Sequence, residues 1–190
     1  MRPDLVSNGD ALHGFLHTSA LDRLMSILDK KMIYASPMPW VPSSPKAVCF
    51  TECVWDALVP LSEVYSPYGL VFQKRLIFER GGGPALYVRG DQLKSLIASG
   101  TIPQNIEPFI TPFDPKGTIK PGVKIDYIHE REWRLPTQLQ FDYNDLEYVL
   151  VGTIAEATHV VHTIGSRSLP EKKLIPLSTY ETIREAWGKQ

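Results

Sequence analysis

The chain has 190 residues, 43% of them hydrophobic and 22% charged, so it can bury one sizeable core and is too apolar for extended disorder. Twenty Lys and Arg against 21 Asp and Glu exclude a global field that would draw it to nucleic acid or to an anionic membrane; a nucleic-acid substrate requires a local basic patch. The opening "MRPDLVSNGDALHGF" has no cationic segment leading into an apolar one, and no later stretch approaches the ~20 apolar residues of a membrane span, so a cytoplasmic location is expected.

In chain order, "SALDRLMSILDKK" spaces Leu21, Leu24, Met25 and Leu28 as one face of a helix, with Ser19 or Thr18 placed to cap it and Asp22 three residues after Ser19. "KMIYAS" reads as a short strand. "PMPWVPSSPK", with four prolines and two serines, reads as an irregular loop, and "AVCF" as a strand. "ECVWDALVPLSEVY" suggests one or two helical turns, Val54, Leu58 and Leu61 sharing a face that Pro60 interrupts. "YGLVF" follows as a strand. Residues 74–80 fit either a hairpin arm or a short helical turn; the turn is preferred because Leu76, Ile77 and Arg80 suit it and "GGG" then stops it before the strand "ALYV".

"DQLKSLIASG" has the spacing of a helix ended by Gly100. Residues 101–124 hold five prolines and no sustained periodicity, which predicts a long irregular segment and makes it the lid candidate. Strands "EWRLP" and "LEYVLVG", a helix around "IAEATHVVHTI", a strand "KLIPLS" and a C-terminal helix "YETIREAWG" complete the chain. Strands interleaved with short helices, without the long regular crossovers of a doubly wound sheet, predict an α+β fold with a mixed, mostly antiparallel sheet in a single domain, residues 1–190.

Two places carry residues suited to chemistry. His17 and Thr18 precede the first helix, where an imidazole beside a hydroxyl suits a sugar diol or a phosphate; the plain alternative is capping plus a satisfied histidine. His13 is a weaker version of the same signal. In "HEREWRLP" the strand period puts Glu130, Glu132 and Arg134 on one face and Trp133 on the other; the plain alternative is an exposed ion-pair ladder with Trp133 as the core anchor. Cys49 and Cys53, the only cysteines, read as buried thiols, and no Cys–His cluster completes a metal site. The dinucleotide, phosphate-loop, nucleophile-elbow and HExxH templates all fail.

Taken together, "FLHTSALDRLMSIL", "AVCFTE", "YGLVF", "GPALYV" and "HEREWRLP" resemble the AbiGi family of bacterial abortive-infection proteins, over residues 12 to 150. In that family a His-Thr start, a "CF" strand, a "YG-G" strand, a "P-LY" strand and an acidic "E-EWR" strand occur in this order. The order is also similar to the ADP-ribosyltransferase fold, a split sheet with short flanking helices found in the poly-ADP-ribose polymerases and the DarT toxins. That resemblance implies NAD as substrate and Glu132 as the catalytic carboxylate, with Glu130 competing for the role. Nicotinamide would lie between Phe50, where many of these enzymes have Tyr, and Tyr65 or Tyr68. His17 and Thr18 would hold one ribose, and Arg134 or another cation the pyrophosphate. A DNA or RNA acceptor would meet Lys74, Arg75, Lys116, Lys120 and Lys124.

Three functions are thus expected. One is an ADP-ribosyltransferase of a phage-defence or toxin–antitoxin system. The second is a non-catalytic antitoxin or interaction protein on the same scaffold, the side of its system to which the AbiGi resemblance points. The third is a metal-independent nuclease using His17 or His129 with Glu132.

Overall fold

The computed structural model describes residues 19–39, 41, 43–52, 62, 66–120, 123–125, 131–180 and 182, with 115–120 and 123–125 as backbone. The expected helix forms as α1 (Ala20–Lys30): Ser19 caps it, its Oγ accepting from Asp22 N at 3.1 Å, and Leu24 and Leu28 are its buried positions. Lys31, at φ 49°, closes it in the left-handed region. Next come β1 (Met32–Ile33), β2 (Ser36–Pro37) and β3 (Lys46–Thr51), so "KMIYAS" makes two short pieces rather than one strand. The two helical turns expected over 52–65 lie almost wholly outside the described residues.

β4 (Gly69–Phe72) and α2 (Lys74–Glu79) follow the expected pattern, the second as a helical turn rather than a hairpin arm. Gly81, at φ 89°, and Gly82 end α2 for different reasons. A Cβ on Gly82 would lie 2.8 Å from the Ile77 carbonyl oxygen and 3.0 Å from that of Arg134, so only glycine lets the backbone pass there. The chain continues through β5 (Gly83–Pro84), β6 (Leu86–Arg89), α3 (Gly90–Ala98), β7 (Ile110–Lys120), β8 (Val123–Ile125), β9 (Glu132–Leu135), β10 (Leu139–Gln140), β11 (Leu146–Val151), α4 (Ile154–Ile164) and β12 (Leu174–Pro176). Residues 177–180 and 182 are helical, so the last helix starts before Tyr180.

The irregular segment expected over 101–124 is corrected from Ile110 onward. A 3-10 turn, Glu107–Phe109, leads into the eleven-residue strand β7, which pairs with β6 on one side and β8 on the other. Prolines that hid the strand sit where a ladder tolerates them. Pro112 is opposite Val88 of β6 but lies outside the stretch paired with β8, and Pro115 lies between Asp114 and Thr118, where the register shifts.

The fold is α+β with predominantly antiparallel pairing, in two compact units interleaved along the sequence. One unit comprises Met1–Ile33, Val54–Leu76 and Gln140–Gln190. Its sheet runs β12-β11-β4, with β11 parallel to β12 and antiparallel to β4. Leu146, Val149 and Val151 are buried along β11 and Val160 on α4, and Phe72 meets Phe141 edge-on at 5.3 Å. A capping box starts α4: Glu156 N donates to Thr153 Oγ1 and Thr153 N to Glu156 Oε2.

The other unit comprises Tyr34–Cys53 and Ile77–Leu139. It holds a four-stranded sheet, β2-β3-β9-β5, and the three-stranded β6-β7-β8. Met38, Val48, Ile77, Leu93, Ile110 and Leu135 form its apolar interior. Both edges of the four-stranded sheet are two-residue strands that contain proline, Pro37 and Pro84, which blunts them against strand addition.

Candidate functional site

β9 carries the residues of greatest chemical interest, and β3 lies antiparallel beside it with Phe50 opposite Trp133 and Thr51 opposite Glu132. Directly opposed residues share a face and neighbours along a strand alternate. Cys49, Thr51, Glu132 and Arg134 therefore occupy one face, and Val48, Phe50, Trp133 and Leu135 the other. The two faces have opposite chemistry.

On the first face Arg134 has no exposed surface and Glu132 is 7% exposed. The guanidinium grips the carboxylate as a fork, Nε donating to Oε1 at 3.1 Å and Nη2 to Oε2 at 2.9 Å. Its remaining nitrogen, Nη1, donates to the Ile110 carbonyl at 2.7 Å and the Pro108 carbonyl at 3.3 Å. Gly83 lies opposite Arg134 on the neighbouring strand, and a Cβ there would meet the Phe109 ring at an ordinary contact distance of 3.5 Å. The exposed-ladder alternative is thus corrected. Burial of a charged pair is tolerable because the two charges satisfy each other and the spare donor finds two carbonyls that the 3-10 turn and the start of β7 leave open.

Trp133 is not the core anchor expected of it. It is only half-buried, and its Nε1 donates to Glu52 Oε2 at 3.4 Å, while Arg131 Nη2 stands 3.3 Å from Glu52 Oε1. Arg131 holds φ at 47°, a left-handed conformation unusual for a side-chain-bearing residue. The polar pair is buried and the indole between its members is half-buried, although Val48 and Leu135 on the indole's face are buried as well. Period-two reasoning groups residues by face correctly, but it does not say which members of a face are buried.

The other expected site residues fall as follows. Phe50 is half-buried on the Trp133 face, opposite in direction to Glu132. Tyr68 belongs to the other unit, where its hydroxyl donates to Glu156 Oε1 at 2.7 Å. Burial first, and then this bond, push its pKa up to about 12. Lys74 and Arg75 are exposed on α2. Lys116 and Lys120 lie on β7 and Lys124 on β8. His17, Thr18, Tyr65, His129 and Glu130 lie outside the described residues. Of the expected set, Glu132 and Arg134 are in contact.

Sequence reasoning missed Pro108 and Ile110, whose carbonyls complete the Arg134 environment. A main-chain acceptor has no signature in residue type. Among the described residues no group of three His, Cys, Asp or Glu side chains could hold a metal ion, and no helix is long and apolar enough to cross a membrane. Compared with known proteins, the chain matches no family model, no curated protein and no solved structure.

Two outcomes follow from this geometry. Arg134→Met leaves a buried carboxylate and two carbonyls unpaired and is expected to lose about 3–5 kcal/mol in urea unfolding, whereas Arg134→Met with Glu132→Leu recovers most of that loss. Equal losses in the single and double variants would contradict a buried, mutually satisfied pair. For Tyr68, the unfolded phenol titrates near 10 and the folded one at about 12, so the fold binds that proton more tightly. The resulting stability is complete below pH 10 and is lost as pH rises towards 12. The stability difference between wild type and Tyr68→Phe should be flat from about pH 7 to 9 and shrink above 10; a difference that stays constant to pH 12 would refute the raised pKa.

Proposed function

We propose that this protein is a non-catalytic interaction protein, of the antitoxin kind, in a phage-defence or toxin–antitoxin system. The observation that carries the reading is the engagement of Glu132. A transferase carboxylate must offer an oxygen to a ribose hydroxyl as charge develops on the sugar. Here both oxygens accept from the buried Arg134 fork. Freeing one would strand a guanidinium that is fully enclosed, at a cost of several kcal/mol.

The placement of Phe50 supports the same reading. A ring that floors the nicotinamide and a carboxylate that meets the adjacent ribose must face a common cleft, and Phe50 and Glu132 leave opposite faces of one sheet. Arg134 is likewise committed, with its donors on Glu132, Pro108 and Ile110. The order of motifs that resembles the ADP-ribosyltransferases fits a scaffold retained for binding. The nuclease alternative asks Glu132 to exchange protons while it holds this pair, and the same engagement opposes it.

The test is incubation of the pure protein with labelled NAD and total RNA, DNA and cell lysate, alongside Glu132→Gln and calorimetry with NAD. No transfer of label and no heat of NAD binding are expected. Label transferred by wild type and lost in Glu132→Gln would overturn the reading and restore the transferase.

A further inference from the structure

The sheet face shared by Phe50 and Trp133 is buried at Val48 and Leu135 and partly open beside them. Phe50 lies opposite Trp133 on one side and Pro84 of β5 opposite it on the other, so the three side chains form one row across three strands. Phe50 and Trp133 are half-buried, Pro84 is exposed, and Leu86, two residues on, is 44% exposed. All belong to one unit. We propose that this row is a docking surface for an extended, proline-rich segment of a partner protein that carries an acidic residue. The inference rests on the interaction reading and names the kind of partner it requires.

Dimensions favour that occupant. Adjacent strands lie about 4.8 Å apart, so Phe50 and Pro84 stand roughly 9.6 Å apart along the row, with Trp133 between them. A polyproline II segment makes one turn in three residues at about 3.1 Å each, so prolines three residues apart present their rings on one side at roughly 9.3 Å. One such turn laid across the strands spans the row. The segment is held extended before it binds, so it has little chain entropy to lose, and an aromatic surface suits its rings. Strand addition, the other way an extended segment docks, is opposed at both edges of this sheet by Pro37 and Pro84.

Charge beside the row selects the acidic residue. Glu52 N donates to the Arg131 carbonyl, which places these two residues next along β3 and β9, about 7 Å from Phe50 and Trp133. The Glu52 carboxylate accepts from Trp133 Nε1 at 3.4 Å and has Arg131 Nη2 3.3 Å from its other oxygen. Its side chain is 26% exposed, against 60% for Arg131. An incoming carboxylate therefore meets an open guanidinium, whereas an incoming ammonium has to compete with Arg131 for Glu52.

The experiment is fluorescence anisotropy of the full chain with a labelled Pro-Pro-Asp repeat peptide and the matching Pro-Pro-Lys and Gly-Gly-Asp repeats. Binding of Pro-Pro-Asp is expected, with Pro-Pro-Lys weaker and Gly-Gly-Asp, which lacks the preformed helix, weaker by about tenfold or more. Trp133→Ala should weaken binding about tenfold or more. Because loss of an indole also disturbs the sheet, Arg131→Gln is the second variant: Glu52 is then the charge that remains, and the preference should reverse to Pro-Pro-Lys. Leu96→Ala, at an exposed leucine on α3, should leave binding within about twofold. The proposal is overturned by no binding at about 1 mM protein, by equal binding of the glycine repeat, by an unchanged preference in Arg131→Gln, or by equal loss in Leu96→Ala. NAD at about 1 mM should leave the peptide bound. Absence of peptide binding in a chain that also fails to bind NAD removes this surface and leaves the interaction reading standing. Displacement of the peptide by NAD would make the row a nucleotide floor and overturn both.

Discussion

A guanidinium with no exposed surface has to be neutralised and have its donors used, and much of the second unit is arranged around that requirement at Arg134. Glu132, two residues away on the same strand face, supplies the countercharge. The 3-10 turn and the first residue of β7 supply the carbonyls of Pro108 and Ile110. β5 pairs with β9 beside it, with Gly83 opposite Arg134. One side chain thereby ties β9 to the 107–110 segment and, through β7, to the β6-β7-β8 sheet. These contacts lie within one unit, so the pair acts as a structural tie of that unit in its own right.

The same geometry decides how the chain can be read functionally. Alternation along β9 forces Trp133 away from Arg134, and pairing with β3 sends Phe50 with it. Neither side is uniformly closed: Glu132 and Arg134 are buried while Thr51 on their face is exposed, and Phe50 and Trp133 are half-buried while Val48 and Leu135 on their face are buried. A transferase site needs a carboxylate and an aromatic floor to converge, and these two diverge. Under the proposed reading the arrangement of the side chains weighs more than the resemblance in motif order, because chemistry depends on which atoms can meet.

Much of the secondary structure was legible. Ser19 with Asp22, the Leu24 and Leu28 spacing, Gly100 after α3 and the periodic run of α4 each express a local preference that tertiary packing did not overrule. Residues 101–124 were misread because prolines were counted without regard to position; whether a proline falls at a bulge or outside a paired stretch depends on partner strands far away in sequence. In the candidate site, Glu132 and Arg134 were correctly placed on one face. That these two side chains are buried depends on Pro108 and Ile110, about 25 residues away, and nothing in "EREWR" records it. Phe50 and Glu132 could be separated only once the β3–β9 register was known.

The central claim is that Arg134 and Glu132 are locked to each other and closed to ligands. It is tested most directly by nitrogen-15 NMR of the Arg134 side chain with and without NAD. Slow exchange of its Nε–H with water, and a resonance that millimolar NAD leaves in place, are predicted. Fast exchange together with a shift on addition of NAD would show an accessible, ligand-responsive pair and contradict the account.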